Sequence, residues 1–229
     1  MAYKLILWDV DDTLLDFKKS EYSALHKAFK DYHLTLSDAD YYTYSHINDD
    51  YWKQLELGRL TRNQICIMRF DDLKNLGILP SYIDSEKFNT AYFSHLKYEA
   101  PHIPHASYVI HSLYNKHYKM AVISNGVTHL QYTRLKKAKL FKYFDKIFVS
   151  QQIGSQKPSL DFIQAVYKAY PNINPSEMLI IGDSPSSDMK LATNAHIDCV
   201  WYNPHHKSTD LPITYNIDNL MSILDILKN

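Results

Sequence analysis

The sequence has few of the residues and segments that mark disulfide-stapled, secreted or membrane-spanning proteins. Its two cysteines, Cys66 and Cys199, are far apart and lack metal-ligand spacing. We therefore expect buried thiols in a reducing compartment. No basic stretch leads into an apolar segment with a cleavage site, and no apolar run approaches membrane-spanning length. These absences predict a cytoplasmic protein with no membrane partner. Glycine is scarce too, at five residues.

Neither sign of charge is in excess, because Lys+Arg and Asp+Glu both number 25 among 229 residues. A balanced chain has no bulk charge with which to hold a nucleic-acid polymer or an acidic membrane. Apolar residues make up 45% of the chain and charged residues 22%, as in ordinary globular proteins. The length allows one ample core, or a core domain with a smaller satellite.

The stretch Leu5–Asp16 joins a short apolar run to a group of carboxylates. The run Leu5–Trp8 has strand length and no Gly or Pro, which predicts a buried strand. Asp9 and Asp11 are two residues apart and should leave the strand end on roughly the same side. Two anions that close repel each other unless a positive charge lies beside them. A hard cation with oxygen ligands, most often Mg²⁺, meets this need, whereas a turn or helix cap is the simpler alternative.

Further strands are predicted to alternate with helices in the second half of the chain. Such alternation predicts a mostly parallel sheet with right-handed crossovers, in which ligands bind beyond the carboxyl ends of the strands. Asp9, Ser124 and Asp183 all fall at predicted strand ends and so point to one crevice. The predicted strands are Leu5–Trp8, Tyr118–Ile123, Lys146–Ser150, Met178–Ile181, Asp198–Tyr202 and Ile213–Ile217.

The segment from Lys19 to about Lys97 has a different pattern. Its apolar residues recur at helical intervals, and it contains no convincing buried strand. An all-helical insertion after the first strand suggests a cap domain. Candidate contacts to a substrate are Asp16, Phe17, Arg62, Arg69 and the pair Tyr51–Trp52, although helical aromatics are more often core and arginines more often lie on the surface.

Four motifs resemble those of the haloacid dehalogenase-like hydrolases, in the order of that family. The first is Asp-x-Asp-x-Thr at Asp9–Thr13, where this chain has Asp12 in place of the usual Gly. The second is Ile123–Gly126, which alone would be read as a plain turn, and the third is Gln156–Pro158, whose Lys157 alone would be a solvated lysine. The fourth is Gly182–Asp188, which alone would be a helix cap.

The resemblance implies a Rossmann-like α/β core with a parallel sheet, formed by residues 1–18 and 98–229, and an inserted all-helical cap at 19–97. It implies that Asp9 is the nucleophile and Asp11 the general acid/base. Thr13, Ser124, Asn125 and Lys157 would bind the phosphoryl group. Mg²⁺ would be held by Asp9, Asp183, Asp188 and the backbone carbonyl of Asp11.

The same resemblance narrows the expected reaction. Asp-Asp-Thr at residues 11–13 and Trp201–Pro204 resemble the pyrimidine 5′-nucleotidase branch. We therefore expect an Mg²⁺-dependent phosphatase that works through an aspartyl-phosphate on small phosphorylated substrates, chiefly pyrimidine nucleoside 5′-monophosphates. A phosphoglycolate- or sugar-phosphate-type phosphatase and a phosphomutase remain alternatives. A dehalogenase is less expected because it needs neither leaving-group acid nor metal, and a non-catalytic binding protein of the same fold is the least expected.

Overall fold

The structure, a computed structural model, describes residues 3–228 and divides into two compact units. One contains the residues up to Asp16 and those from Ala100 onward, and the other is Phe17–Glu99. These borders lie two residues from the predicted ones. The elements of the described residues are, in chain order, β1 (Leu5–Trp8), α1 (Phe17–Asp31), α2 (Asp38–Glu56), α3 (Arg62–Asn75), α4 (Ser85–Leu96), α5 (Ala106–Asn115), β2 (Lys119–Ser124), α6 (Thr128–Lys137), β3 (Lys146–Val149), α7 (Ser150–Ile153), α8 (Leu160–Ala169), β4 (Met178–Gly182), α9 (Lys190–Ala195), β5 (Asp198–Tyr202), β6 (Tyr215–Ile217) and α10 (Ser222–Ile226).

The first unit is built on a six-stranded sheet in the order β3-β2-β1-β4-β5-β6, in which every paired strand is parallel. This confirms the predicted Rossmann-like α/β class. The order reverses direction between β1 and β4, which is the switch point where ligands bind in such sheets. In the register, Trp8 pairs with Val122 on one side and with Ile181 on the other. The residues that follow β1, β2 and β4 therefore meet at one edge.

The first strand is apolar on both faces because helices cover both sides of the sheet. Leu5 and Leu7 pack with apolar residues of α8 and α9, whereas Ile6 and Trp8 pack with those of α5 and α10. All four residues of β1 are fully buried. Each face thus takes alternate residues of the strand, and the uninterrupted apolar run follows from burial on both sides.

Four of the predicted strands have other ends. β2 lies one residue later than Tyr118–Ile123 at both ends, β4 runs one residue past Ile181, and β6 is two residues shorter at its start than Ile213–Ile217. The strand beginning at Lys146 ends at Val149, since Ser150 starts α7. A π-helical turn, Pro185–Met189, comes directly before α9, and the Ser184 hydroxyl at its start accepts a hydrogen bond from the Ser187 N–H.

The second unit consists of the four helices α1–α4. Three of them begin at a side chain that accepts a hydrogen bond from their first turn, namely Ser37, Thr61 and Asp84. Thr61 forms a full capping box with Gln64, as expected for a helix start. Aromatic rings fill the interior, with Phe70 and Phe88 edge to face at 5.0 Å. Among the described residues, the helices include none with the length and hydropathy to cross a bilayer.

A buried polar network crosses this helical unit. Glu21, which is fully buried, accepts hydrogen bonds from Ser45 at 2.9 Å and from Asn48 at 2.7 Å. Asn48 in turn accepts from Arg69 at 2.7 Å, and the other arm of the Arg69 guanidinium donates to Asn89 at 2.8 Å. Arg69 is only 2% exposed, so this candidate substrate contact is a buried and engaged residue of the helical unit.

The buried carboxyl of Glu21 should make the stability of the helical unit depend on pH. Burial raises the pKa of Glu21 from 4.5 to about 7, although Lys18 opposes the shift. Between these values the folded chain binds a proton that the unfolded chain has released, so the free energy of unfolding should fall as the pH rises. Urea denaturation at about pH 5 and about pH 7.5 should show this fall in the wild type and a flatter response in Glu21→Gln.

The matched control is Glu86→Gln, which makes the same change at an exposed position of α4. It should keep the wild-type response to pH. An equal response in wild type and Glu21→Gln would contradict the assignment.

Candidate active site

Three carboxylates converge at the switch point of the sheet. Asp9 follows β1, Asp183 follows β4, and Asp188 lies on the π-helical turn. One oxygen of each lies within 4.8 Å of the others. Asp9 and Asp188 are buried, at 7% and 1% exposure. The backbone N–H of Asp9 donates to the Ile181 carbonyl at 2.9 Å, which ties the end of β1 to β4. This pairing brings residues 174 positions apart in the sequence into one acidic group.

Lys157 supplies the positive charge within this group. Its ammonium lies 2.6 Å from a carboxylate oxygen of Asp9 and 2.6 Å from one of Asp188, and it also donates to the Ile123 carbonyl at 3.0 Å. The residue is 1% exposed. Burial by itself lowers the pKa of Lys157, but Asp188 and Asp9 outweigh that effect, so the pKa of Lys157 is raised. The lysine is therefore a fixed cation and not a solvated surface side chain.

The second motif holds this lysine in place. The Asn125 side chain accepts from the Lys157 backbone N–H at 2.8 Å and donates to the Lys157 carbonyl at 2.9 Å. The side-chain amide of Asn125 is thus occupied by the backbone of Lys157. A contact from Asn125 to phosphate would therefore be made by the Asn125 backbone N–H. The Ser124 hydroxyl, which is buried, accepts from the Gly126 N–H at 3.0 Å.

The residues of the first motif divide between two surroundings. Thr13 is fully buried and donates to Asp183 at 3.3 Å, so its hydroxyl braces a carboxylate of the acidic group. The Asp11 carboxylate lies outside that group and binds Gln131 and Arg134. Asp12 has φ 57°, which explains the usual Gly at this position of the family motif, since Asp is one of the few other residues that tolerate the left-handed region.

The acidic group fits a hard divalent cation. Burial raises the pKa of Asp9 to about 8, with Lys157 opposing the shift and Asp188 adding to it. Burial, with Asp9 as the next cause, raises the pKa of Asp183 well above its usual range. Carboxylates that resist ionisation together are stabilised by a cation between them, and oxygen donors are what Mg²⁺ prefers. Asp9, Asp183 and Asp188 are the side chains placed to hold it.

Sequence reasoning missed two residues of this site. Gln131 and Arg134 of α6 bind Asp11, and their three-residue spacing, which puts both on one face of the helix, was the available signal. Gly182, the first residue of the fourth motif, leaves room for a carboxylate, because a Cβ there would lie 2.3 Å from the Asp188 carboxyl carbon. Trp201, noted in the sequence for its resemblance alone, donates its indole N–H to the Asp183 carbonyl at 2.9 Å.

The chain is similar to known proteins along nearly its whole length. The profile of the haloacid dehalogenase-like hydrolases matches residues 6–202. The HAD-hydrolase YfnB of Bacillus subtilis (strain 168) is 33% identical over 99% of this chain and 96% of its own length. The pyrimidine 5′-nucleotidase PynA of Streptococcus pneumoniae (strain ATCC BAA-255 / R6) is 32% identical, also over 99% and 96%. A crystal structure of YfnB bound to magnesium covers 100% of both chains with a TM-score of 0.93.

Gly182→Ala should weaken Mg²⁺ binding by about tenfold or more, because the added methyl must displace Asp188 from the acidic group. Isothermal titration calorimetry with MgCl₂ measures the loss. Gly77→Ala is the control, since it adds the same methyl at a strained φ of 73° in the helical unit, where nothing lies within 4 Å. Equal Mg²⁺ affinities for Gly182→Ala and wild type would show that the Asp188 position does not matter for the cation.

Mg²⁺ affinity should also rise with pH. The pKa values of Asp9 and Asp183 are raised, so at neutral pH the metal-free site retains protons that a cation must displace. Titrations between about pH 6 and pH 9, in two buffers of different ionisation enthalpy, should show proton release on binding and an affinity that rises with pH. An affinity independent of pH, with no proton released, would contradict the assignment of these carboxylates.

Proposed function

Because this chain belongs to the haloacid dehalogenase-like hydrolases, we propose that it hydrolyses small phosphate monoesters with Asp9 as the nucleophile. The proposal rests on the position of the Asp9 carboxylate. It lies at the switch point, 2.6 Å from the Lys157 ammonium and grouped with Asp183 and Asp188. A buried carboxylate with a fixed cation beside it is suited to receive a dianionic phosphoryl group, since the cation offsets the repulsion between the two anions.

In the proposed reaction, an oxygen of Asp9 attacks phosphorus as the bond from phosphorus to the ester oxygen breaks. Asp11 gives its proton to the departing alkoxide, and then takes one from the water that attacks the aspartyl-phosphate. This second step releases inorganic phosphate and restores the Asp9 carboxylate. Lys157 offsets negative charge throughout, and the Ser124 hydroxyl and Asn125 backbone N–H are proposed to hold phosphoryl oxygens.

A divalent cation is proposed as the cofactor, with Mg²⁺ as the first candidate. The carboxylates of Asp9, Asp183 and Asp188 would hold it, and the resemblance adds the Asp11 carbonyl. When bound, it would supply positive charge that lets a phosphate dianion approach Asp9. The choice is supported by YfnB, a relative that is 33% identical over 99% of this chain and whose crystal structure is bound to magnesium.

Pyrimidine nucleoside 5′-monophosphates are the substrates we propose. Support comes from PynA, a pyrimidine 5′-nucleotidase that matches nearly the whole of this chain. The second candidate is a sugar- or triose-phosphate phosphatase, because several matching relatives at 24–25% identity are glyceraldehyde 3-phosphate phosphatases. We propose the helical unit Phe17–Glu99 as the cap domain that the family resemblance implies.

A substrate panel tests the specificity. At fixed Mg²⁺, the enzyme should hydrolyse UMP, dUMP and dTMP with higher kcat/KM than glyceraldehyde 3-phosphate, phosphoglycolate or hexose phosphates. Faster turnover of the last three would move the assignment to the second candidate. No release of phosphate from p-nitrophenyl phosphate, with or without EDTA, would instead favour a binding protein.

Replacing the proposed nucleophile should abolish turnover while leaving the fold intact. Asp9→Asn keeps the size of the side chain but removes the charge that attacks phosphorus, so kcat should fall below about one thousandth of the wild-type value. Circular dichroism checks the fold, and phosphate release from UMP measures the rate. Activity near the wild-type level in purified Asp9→Asn would remove Asp9 from the mechanism.

A further inference from the structure

Two buried side chains of α6 are committed to the Asp11 carboxylate. Gln131 donates through its Nε2 to one carboxylate oxygen at 2.5 Å, and Arg134 donates through Nη1 to the other. Gln131 is 2% exposed and Arg134 is 1% exposed. We propose that Gln131 and Arg134 are positioning residues that aim Asp11 at the leaving group. This inference rests on the proposed function, in which Asp11 delivers and removes the proton.

Asp11 needs such anchoring because its carboxylate plane is otherwise poorly fixed. The terminal torsion of an Asp side chain is broad, since it joins a tetrahedral carbon to a planar group. Proton transfer, in contrast, needs an approach of about 2.6–3.2 Å between heavy atoms. Donors on both oxygens fix the plane, and each oxygen keeps a further lone pair. The Asp11 side chain remains 29% exposed, which leaves part of it open to a substrate.

Gly126 of the second motif makes room for this arrangement. A Cβ at Gly126 would lie 2.1 Å from Gln131 Nε2 and 2.9 Å from its Cδ, closer than real atoms pack. The backbone does not require glycine here, since the positive-φ glycines are Gly58, Gly77 and Gly154. The glycine therefore lets the Gln131 side chain pass across the motif to reach Asp11.

A purely structural role explains Gln131 less well. Its Oε1 is buried and accepts no hydrogen bond from the residues that the structure describes. A buried amide kept only for stability would satisfy both of its ends, because an unpaired acceptor is costly. The end that is satisfied is the one that reaches Asp11. The contact of Arg134 with Asp11 could equally be a structural ion pair between a buried cation and its counter-ion. The contact that distinguishes a positioning role from a structural one is therefore that of Gln131.

The test compares two leaving groups in Gln131→Leu. An alkoxide leaving from UMP needs a proton, whereas p-nitrophenolate leaves without one. We expect kcat/KM for UMP to fall by about tenfold or more and kcat/KM for p-nitrophenyl phosphate to fall much less, because kcat/KM reports the step in which the leaving group departs and not the later attack of water, which both substrates share. Gln164→Leu, the same change at an exposed position of α8, should match the wild type. Equal loss on both substrates would overturn the proposal.

A coupling experiment tests the part played by Gly126. Gly126→Ala alone should reproduce the defect of Gln131→Leu, because the methyl displaces a flexible side-chain end. In the Gln131→Ala background the obstructing atoms are gone, so adding Gly126→Ala should change kcat for UMP less than twofold. An equal loss in both backgrounds would overturn the link between the two residues.

Arg134→Lys, which keeps the charge, should show a smaller leaving-group effect than Gln131→Leu, and the opposite order would assign the anchoring to Arg134 alone.

A readout without turnover separates this inference from the proposed function. The side-chain NH₂ resonances of Gln131 in an ¹⁵N-labelled sample should shift strongly in Asp11→Ala and little in Asp16→Ala. If the wild type hydrolysed no monoester, the proposed function would fail, and these resonances would still decide whether Gln131 binds Asp11. Unshifted resonances in Asp11→Ala would overturn the positioning claim even in an active enzyme.

Discussion

The site depends on the contact of one ammonium with two carboxylates at the switch point of the sheet. Lys157 lies 2.6 Å from Asp9 and from Asp188, and all three are buried. Unit charges about 4 Å apart interact by about 4 kcal/mol near a protein surface, so three grouped carboxylates would repel strongly without it. Asn125 fixes the lysine by binding its backbone on both sides. The second and third motifs therefore act together to keep a carboxylate at the end of β1.

Each of the five glycines stands at a position with a structural requirement. Three of the five glycines, Gly58, Gly77 and Gly154, have positive φ. At the other two, Gly126 and Gly182, a Cβ would collide with Gln131 and with Asp188 respectively. Glycine thus occupies positions where the backbone has a positive φ, or where a side chain of the site lies too close to leave room for a Cβ. Several other left-handed positions are filled by histidine or aspartate, including Asp12 beside the proposed nucleophile.

The sequence allowed the architecture to be predicted because burial leaves a local signal. Leu5–Trp8 is a strand with the predicted ends, and its apolar run reflects helices on both faces of the sheet. The contacts of Asp11 were beyond prediction, because Gln131 and Arg134 are more than a hundred residues away and a helical spacing shows only that they share a face. Ser-Asn-Gly likewise gave no sign that the Asn125 amide would bind the lysine loop, since that contact depends on how β2 and the loop before α8 meet.

The central claim is that Asp9 accepts the phosphoryl group. Acid quenching of the enzyme during turnover of UMP with Mg²⁺, followed by borohydride reduction and peptide mass spectrometry, tests it most directly. The account predicts that reduction of the acyl-phosphate converts residue 9 to homoserine, in a substrate-dependent manner. Steady turnover with residue 9 unmodified, or with modification at another carboxylate, would contradict it.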